Sequence, residues 1–445
     1  MGSTGYVEKI SGNNAIEADL YAKFNVKRGL RNADGTGVLV GLTRVGDVHG
    51  YIIDEGDRVA VPGKLYYRGI DVEDLVLAST AEKRFGFEEA TYLLMVGELP
   101  NAKELSDFSA LLGSLRVLPD NFAEDTIMKV PSPDIMNKLA RSVLTCYAYD
   151  DSPEDLSPEN VLRQCLELIG RFPTMAAYAY MAKKHYYDNQ SLFIHTPAVT
   201  KSTAETILSL IRQDQKYTRL EAEILDLALV LHAEHGGGNN STFAVHLVSS
   251  ADTDTYSAIA AGVGSLKGFK HGGANIKVMG MMDDIKSGVK TWSDEGELAD
   301  YLVKILKGQA YDGTGLIYGQ GHAVYTISDP RAALLRDKAA ELAAEKGHME
   351  EFELYRSIEK LVPEVFKQVK GSYKAICTNV DFYSGFVYRM LGIPPELYTP
   401  IFAVSRVAGW CAHRLEETIS GGRIIRPAYK CVQARLPYTP MADRA

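Results

Sequence analysis

The chain of 445 residues has little cysteine, no long apolar run and no excess of basic charge. Its cysteines are widely spaced and form no CxxC pair, so neither a disulfide framework nor a thiolate zinc site is predicted. No apolar run reaches the ~18 residues of a membrane-spanning helix, and the N-terminal residues lack an apolar signal core. We therefore expect a cytoplasmic protein with reduced thiols.

The formal net charge is -9. Nucleic acids and anionic membranes attract proteins with a basic face, so neither is expected as a partner. An anionic substrate would instead require a local cluster of arginines. Hydrophobic residues make up 46% of the chain and charged residues 24%, which indicates a folded globular protein. At roughly 100 to 200 residues per domain, the length allows two or three domains.

Most of the chain has helical patterns. The segment 87–100 opens with acidic residues and closes with Gly97 and Pro100, which is typical of a helix followed by a stop. The segment 221–232 is apolar on nearly every side and predicts a helix buried in a bundle. These patterns predict an all-α protein.

Two further signals refine this fold prediction. Asp329 is expected to cap a helix that begins at Pro330 and ends before Gly347. Residues 38–70 alternate β-branched residues with Gly and Asp turns, and predict small hairpins. The expected fold is therefore helical with a small β region near the N-terminus.

Three short segments each place one proton-transferring side chain beside glycine: His271 in HGGAN, His322 in GHAVY and Asp381 in NVDFYSG. Two imidazoles and one carboxylate suit the formation of an enolate. A base can remove a carbon-bound proton while two donors stabilise the oxygens that gain charge. The apolar residues after His271 predict a helix that starts nearby, whose positive end would keep the imidazole neutral.

Each of these segments also has a structural interpretation. His271 would be an ordinary histidine in a glycine-rich turn, and Asp381 an ordinary cap of the helix that ends before Gly392. His322 follows two glycines that could cradle a phosphate, but the full GxGxxG and GxxxxGK patterns are absent. Taken one by one, the three motifs do not decide between these interpretations.

Arg331 and the pair of His232 and His235 are further candidates for a functional site. Arg331 is expected in the first turn of the helix capped by Asp329, where the helix dipole disfavours a cation, so a bound carboxylate would explain it. His232 and His235 are three residues apart and would share a helix face, which is a spacing that can bind zinc in a hydrolase. Since HExxH and other familiar zinc motifs are absent, we predict no metal site.

Read together, the segments resemble the citrate synthase family. Besides the three motifs above, the chain contains six further segments in the family's order, from about Val38 to Lys430: YRGIDVEDL, FEEATYLLMVGELP, LHAEH, SDPRA, SRVAGWCAH and GGRIIRP. The resemblance implies an acyltransferase of the tricarboxylic acid cycle that condenses acetyl-CoA with oxaloacetate to citrate and CoA. Acetyl-CoA would be a substrate, and no separate cofactor is expected.

The resemblance also implies an all-α homodimer with two domains in each subunit. A large domain would comprise residues 1–273 and 384–445, and a small domain would comprise residues 274–383. Closure of the small domain over oxaloacetate would exclude water before acetyl-CoA reacts. The three catalytic motifs come from this junction.

By motif position, the resemblance assigns roles to individual residues. Asp381 would remove a proton from the acetyl methyl group, His271 would hydrogen-bond the thioester oxygen, and His322 would polarise the ketone of oxaloacetate. The carboxylates of oxaloacetate would be held by four residues, the last of them supplied by the partner subunit: His235, Arg331, Arg406 and Arg426. For the CoA phosphates, our candidates are Lys267 and Lys270.

Two alternatives remain open at the level of sequence. A 2-methylcitrate synthase would use propionyl-CoA, and one methylene is worth only ~1 to 3 kcal/mol in an apolar pocket, so no motif here distinguishes it. A protein that binds CoA or a dicarboxylate without catalysis is the more remote alternative.

Overall fold

The computed structural model describes residues 3–55, 57–371 and 376–444. Within them the chain forms seventeen α-helices and one three-stranded sheet. The helices are α1 Ser3–Asn14, α2 Ala18–Lys23, α3 Val72–Ala81, α4 Phe87–Val96, α5 Ala102–Ser114, α6 Ile135–Cys146, α7 Pro158–Asp188, α8 Thr203–Ile211, α9 Arg219–His232, α10 Asn240–Ser249, α11 Thr255–Leu266, α12 Ala274–Gly288, α13 Glu295–Leu306, α14 Pro330–Lys346, α15 Met349–Lys370, α16 Val380–Met390 and α17 Tyr398–Ser420. The predicted all-α class is confirmed.

The chain separates into two compact units. One consists of Met1–Gly41 and Ile424–Ala445, and the other of Leu42–Arg423. The first unit contains α1 and α2. The second contains the sheet, helices α3 to α17 and every predicted site residue except Arg426. The expected boundaries of large and small domains at residues 273 and 383 fall inside this second unit and stay a prediction.

The β region forms two consecutive antiparallel hairpins from β1 (Gly46–Asp54), β2 (Asp57–Tyr67) and β3 (Ile70–Asp71). The strands therefore begin at residue 46, later than the predicted start at residue 38. Arg68 and Gly69 connect β2 to β3 with positive φ angles of 50° and 85°, which is the backbone that a two-residue hairpin turn requires. The hydroxyl of Tyr67 donates to the carbonyl oxygen of Val230 at 2.7 Å and so attaches the sheet to α9.

The local helix signals are confirmed. Helix α4 ends at Gly97 with a φ of 97°, and α14 ends at Gly347 with a φ of 75°, both left-handed conformations that glycine adopts without strain. The Asp329 side chain accepts a hydrogen bond from the backbone N–H of Arg331 and so caps α14 as predicted.

The core of the second unit is built around three buried helices. Helix α9 is buried on almost every side, as its uniformly apolar sequence predicts. Helices α7 and α17 run for 31 and 23 residues, and Trp410 of α17 is completely buried. None of the helices in the described part of the chain is both long enough and apolar enough to cross a membrane.

Candidate active site

Two loops that carry predicted catalytic residues are joined by backbone hydrogen bonds. The N–H of Gly321 donates to Cys377 O at 2.7 Å, and the N–H of Asn379 donates to Gly319 O at 2.9 Å. The Asn379 side chain adds a bond from its Nδ2 to Gly321 O at 2.8 Å. This short antiparallel pairing places the segment before His322 beside the N-terminus of α16, where Asp381 lies.

The glycine at position 319 is required for this pairing. It has a φ of 79°, and a Cβ at this position would approach Phe382 of α16 to 2.8 Å. A side chain would therefore separate the loop from the helix that carries Asp381.

The two nitrogens of His322 have different roles. Nδ1 accepts hydrogen bonds from the backbone N–H groups of Val324 and Tyr325, each at 3.1 Å. A ring nitrogen that accepts two hydrogen bonds carries no proton, so the neutral tautomer with a proton on Nε2 is the one that fits. The Tyr325 ring stacks on the imidazole with centroids 4.6 Å apart and fixes its plane. His322 is thus a pre-oriented donor through Nε2.

Asp381 occupies the second position of α16 and does not cap it. The cap is Asn379, whose side-chain oxygen accepts from the N–H of Asp381 at 3.0 Å. The interpretation of Asp381 as an ordinary cap is therefore wrong, because the asparagine two residues earlier already fills that position. Burial raises the pKa of Asp381 to about 6, with opposing effects from the positive charge of Arg331 and the negative charge of Asp329.

His271 lies three residues before α12, so the predicted helix start beside it is confirmed. Its Nε2 is 3.0 Å from the Oγ of Ser241. This hydroxyl accepts from the indole N–H of Trp410 at 3.1 Å and donates to Oδ1 of Asn239 at 3.0 Å. Burial and the charge of Arg406 lower the pKa of His271 to about 4, so the imidazole is neutral near pH 7. Ser241 was not identified from the sequence, since nothing in its local pattern distinguishes it from other serines near a helix start.

The shared-face arrangement predicted for His232 and His235 is wrong. Helix α9 ends at His232, whose ring packs edge-on against Phe402 at 4.4 Å. His235 lies beyond the helix, with its ring 5.1 Å from that of His322. Because the helix ends three residues before His235, the two imidazoles do not share a helix face.

His235 is buried, and its Nε2 has no hydrogen-bond partner among the described residues. Burial holds its pKa well below the usual range, reinforced by the positive charges of Arg331 and Arg406 and by His322 and His271. A buried ring nitrogen without a partner is rare in folded proteins and is typical of a position that a ligand satisfies.

Arg406, on α17, is completely buried. Its Nε donates to the carbonyl oxygen of His232 at 2.6 Å, while Nη1 is buried and lacks a partner within the described part of the chain. Burial lowers the pKa of Arg406 to about 10, so the side chain is still a cation near pH 7. This leaves a desolvated guanidinium donor whose charge lowers the pKa of His235.

Arg331 is also buried but already has a carboxylate partner. Its Nε and Nη2 donate to the two oxygens of Asp329 at 3.0 and 2.8 Å. The unfavourable position of this cation at the start of α14 is thus compensated by the residue that caps the helix, and a bound carboxylate is not needed to explain it. The same Asp329 accepts from the N–H of Val380 at 3.3 Å and joins α14 to α16.

Six of the predicted site residues thus form one electrostatic cluster. His235 is affected by four of the others, and the pKa of Asp381 responds to both Arg331 and Arg406. Arg331 and Asp381 lie in the first turns of α14 and α16, and His271 lies three residues before α12, so three helix N-termini favour an anion here. The members of the cluster are His235, His271, His322, Arg331, Asp381 and Arg406.

The remaining predicted residues lie outside this cluster. Lys270 is exposed, and the Nζ of Lys267 is 3.1 Å from a carboxylate oxygen of Asp134 in an exposed ion pair. Arg426 is exposed in the other unit of the chain. Contact of these three side chains with a substrate therefore stays a prediction.

Comparisons with known proteins show relatives that are similar over most of the chain. A family model described as the C-terminal domain of citrate synthase matches residues 34–428. The citrate synthase of Haloferax volcanii is 35% identical to this chain, with 94% of this chain and 99% of the relative covered. The 2-methylcitrate synthase of Shewanella oneidensis is 31% identical, with 87% and 94% covered.

A solved structure is similar over almost the whole chain. It is the citrate synthase of Thermoplasma acidophilum in a ternary complex with carboxymethyl coenzyme A and oxaloacetate. The TM-score is 0.76 at 27% sequence identity, with 94% of this chain and 99% of that chain covered. The likeness therefore extends over most of the helical fold.

Proposed function

The chain belongs to the citrate synthase family, and from this membership we propose that it condenses acetyl-CoA with oxaloacetate and hydrolyses the thioester to give citrate and CoA. The observation that carries the proposal is the cluster itself. It combines one carboxylate of raised pKa with neutral imidazoles and a buried guanidinium that has an unpaired donor. An enol must be formed and trapped in this reaction, and these are the groups that such chemistry requires.

Asp381 is the proposed base that removes a proton from the acetyl methyl group. With a pKa of about 6, it is mostly ionised near pH 7 and is a stronger base than an ordinary aspartate. A carboxylate of this strength still cannot deprotonate a thioester without help, because the carbon acid is far weaker. The resulting enol must therefore be stabilised by donors that are already in place.

His271 is the proposed donor to the thioester oxygen. This role requires the imidazole to donate from Nδ1 and to accept at Nε2. The hydroxyl of Ser241 is 3.0 Å from both Nε2 of His271 and Oδ1 of Asn239, and the Trp410 N–H occupies one of its acceptor positions. We propose that its one proton is donated to Nε2 when the thioester is bound. Ser241 is therefore proposed as a positioning residue that selects the tautomer of His271.

His322 is the proposed donor to the ketone of oxaloacetate. Its Nδ1 accepts from two backbone N–H groups, so the proton of the neutral imidazole is on Nε2, and this is the atom proposed to donate to the ketone oxygen. As the enol carbon attacks the ketone carbon, a carbon–carbon bond forms and the ketone oxygen gains negative charge. A hydrogen bond from a neutral imidazole stabilises this charge and can supply the proton.

The carboxylates of oxaloacetate are proposed to bind at the positive side of the cluster. A substrate carboxylate would satisfy both the Nε2 of His235 and the Nη1 of Arg406. Arg331 would contribute positive charge, and its two hydrogen bonds to the carboxylate of Asp329 keep its guanidinium oriented. Arg426 of the partner subunit in a homodimer is proposed to complete the site.

Further assignments extend this proposal. We propose that Lys267 and Lys270 bind the CoA phosphates and that closure of residues 274–383 excludes water before condensation. We also propose that the protein is a cytoplasmic acyltransferase of the tricarboxylic acid cycle and has no cofactor besides its two substrates.

A thiol-release assay tests the proposal. Purified protein with acetyl-CoA should release free thiol only when oxaloacetate is present, and Asp381→Asn and His271→Ala should each reduce the rate by about 100-fold or more. Asp300→Asn and His348→Ala are matched controls, since both side chains are exposed. Oxaloacetate-independent release, or full activity in either site variant, would contradict the proposed function.

A 2-methylcitrate synthase is the second candidate, because the Shewanella oneidensis relative carries that name and is nearly as similar to this chain. The same assay separates the two candidates. A higher kcat/KM for acetyl-CoA than for propionyl-CoA supports the first, and the reverse order supports the second.

A further inference from the structure

A second cluster of histidine and glutamate side chains includes Glu234, the residue directly before His235 of the proposed active site. It is formed by the turn after α9, by α10 and by α17, which supply Glu234, His246, His413, Glu416 and Glu417. His246 Nε2 and His413 Nδ1 are 3.0 Å apart, at the centre of the cluster. The mechanism proposed above uses none of these residues.

The outer nitrogen of each imidazole faces a carboxylate. His413 Nε2 is 3.0 Å from Glu234 Oε1, and His246 Nδ1 is 3.0 Å from Glu417 Oε2. The side chains of Glu234 and His413 are completely buried. Histidines that bind a metal with one nitrogen characteristically donate from the other nitrogen to a carboxylate, which fixes the ring and its tautomer.

The hydrogen-bond count points to a cation between the two rings. Three contacts of 3.0 Å join the four residues in a row, and each contact needs one bridging proton. Two neutral imidazoles supply only two protons. If both N–H groups donate outward to the carboxylates, the two inner nitrogens of His246 and His413 present lone pairs to each other, and either a third proton or a metal ion between them would stabilise this arrangement.

A third ligand is present beside the two inner nitrogens. Glu416 Oε2 is 3.8 Å from His413 Nδ1, is buried and has no hydrogen-bond partner in the described parts of the chain. Its other oxygen accepts from the N–H of Arg44 at 2.6 Å, which orients the carboxylate. All three ligand atoms lie within 4.8 Å of one another.

These distances suit a small divalent ion. Two ligands at ~2.0 to 2.1 Å from a tetrahedral zinc ion are roughly 3.3 Å apart. The observed separations of 3.0 and 3.8 Å lie on either side of this value. Two imidazoles and one carboxylate are a ligand set that zinc and its neighbours in the first transition series prefer over magnesium or calcium.

We propose that His246, His413 and Glu416 bind one divalent transition-metal ion of the zinc type. The fourth coordination position would be filled by water or by the hydroxyl of Thr43, which is 3.5 Å from His413 Nδ1. Thr43 and Glu416 both line a cleft of about 600 Å³, which supplies the access path for the ion. This proposal departs from the expectation that the chain has no metal site.

The ion would have a positioning role. Glu234 directly precedes His235, and Gly409 of α17 packs so closely on this turn that a Cβ there would lie 2.4 Å from Ala233 O. A metal that joins α10 to α17 would orient His413, and His413 holds Glu234. The ion would therefore stabilise the turn that presents His235, without contact with either substrate.

Metal binding to the full, untagged chain tests the proposal. Protein treated with a chelator and dialysed should bind about one Zn²⁺ per chain in isothermal titration. Co²⁺ in its place should give the intense visible absorption of tetrahedral coordination. His246→Ala and Glu416→Gln should each weaken binding about 10-fold or more. His348→Ala, which removes an exposed histidine, is the matched control and should bind as the unaltered chain does.

Thermal unfolding provides a second measurement that does not depend on catalysis. Saturating Zn²⁺ should raise the unfolding temperature of the unaltered chain and of His348→Ala, but not that of His246→Ala or Glu416→Gln. Glutamine keeps a side-chain oxygen that can accept from the N–H of Arg44, as Glu416 does. Glu416→Gln is therefore the variant that we expect to fold normally. Substoichiometric binding, or equal affinity in all variants, would overturn the proposal and leave the proposed activity untouched.

Discussion

Replacement of Asp381 by asparagine should make the protein more stable while it reduces activity by about 100-fold or more. Burial is the main reason that the pKa of Asp381 is raised from 3.8 to about 6. The native state therefore binds this proton more tightly than the unfolded chain does. The stabilising contribution of the protonated carboxyl is complete below about pH 4 and is lost as the pH rises through about 6.

The expected size of the effect follows from the same shift. A change of about two pKa units corresponds to about 3 kcal/mol, at roughly 1.36 kcal/mol per unit. Asparagine has nearly the same shape but cannot ionise. Asp381→Asn should therefore be more stable than the unaltered chain by up to about 3 kcal/mol at pH 8, and the difference should shrink towards zero near pH 4.

Urea unfolding of both proteins without substrates, followed by circular dichroism between pH 4 and pH 8, measures this difference. The acid limb of the pH–rate profile of the unaltered chain should have its midpoint near the same value of about 6. Asp300→Asn, an exposed carboxylate on α13, is the control and should show no comparable pH dependence. If Asp381→Asn were less stable than the unaltered chain at pH 8, or if the difference in stability did not change with pH, the half-buried carboxylate of Asp381 would not be the source of the effect.

Three further predictions concern the proposed site. Ser241→Ala should reduce kcat by about 10-fold or more with little change in the KM for oxaloacetate, because His271 loses the partner that selects its tautomer; a raised KM with normal kcat would contradict this. Arg406→Lys keeps the charge but loses the planar fork, so the KM for oxaloacetate should rise about 10-fold or more, and unchanged steady-state kinetics would exclude contact with that substrate. Arg426→Leu subunits mixed with Asp381→Asn subunits should recover about a quarter of the normal rate, because half of the dimers are hybrids with one intact site; no recovery would exclude a shared site.

Much of the local structure follows from short-range signals. Gly97 ends α4, and Asp329, Pro330 and Gly347 define the two ends of α14, as their sequence positions predict. These signals work because caps and left-handed turns depend on the backbone of a few neighbouring residues. The three segments that carry His271, His322 and Asp381 were likewise recognisable by residue type and by their order in the chain.

Where sequence interpretation failed, either a nearby residue took the expected role or a helix ended earlier than expected. Asn379 caps α16 in place of Asp381, and α9 stops at His232 before His235 can join its face. The charge of Arg331 is balanced by Asp329, two residues away. Local pattern alone does not rank such competitors, because the outcome depends on how each side chain packs against other helices.

The amino-acid sequence by itself determined the helical class, the main caps and the set of residues able to form and trap an enol. Only the tertiary structure decided the protonation state of these side chains and the direction of their hydrogen bonds. The two backbone N–H groups on His322 Nδ1, the burial of Asp381 and the unpaired donor of Arg406 all arise from contacts between segments. The pairing of His246 with His413 has the same origin, since those residues are 167 positions apart. Desolvation and hydrogen bonding depend on what surrounds a group in three dimensions, so neither can be read from its neighbours along the chain.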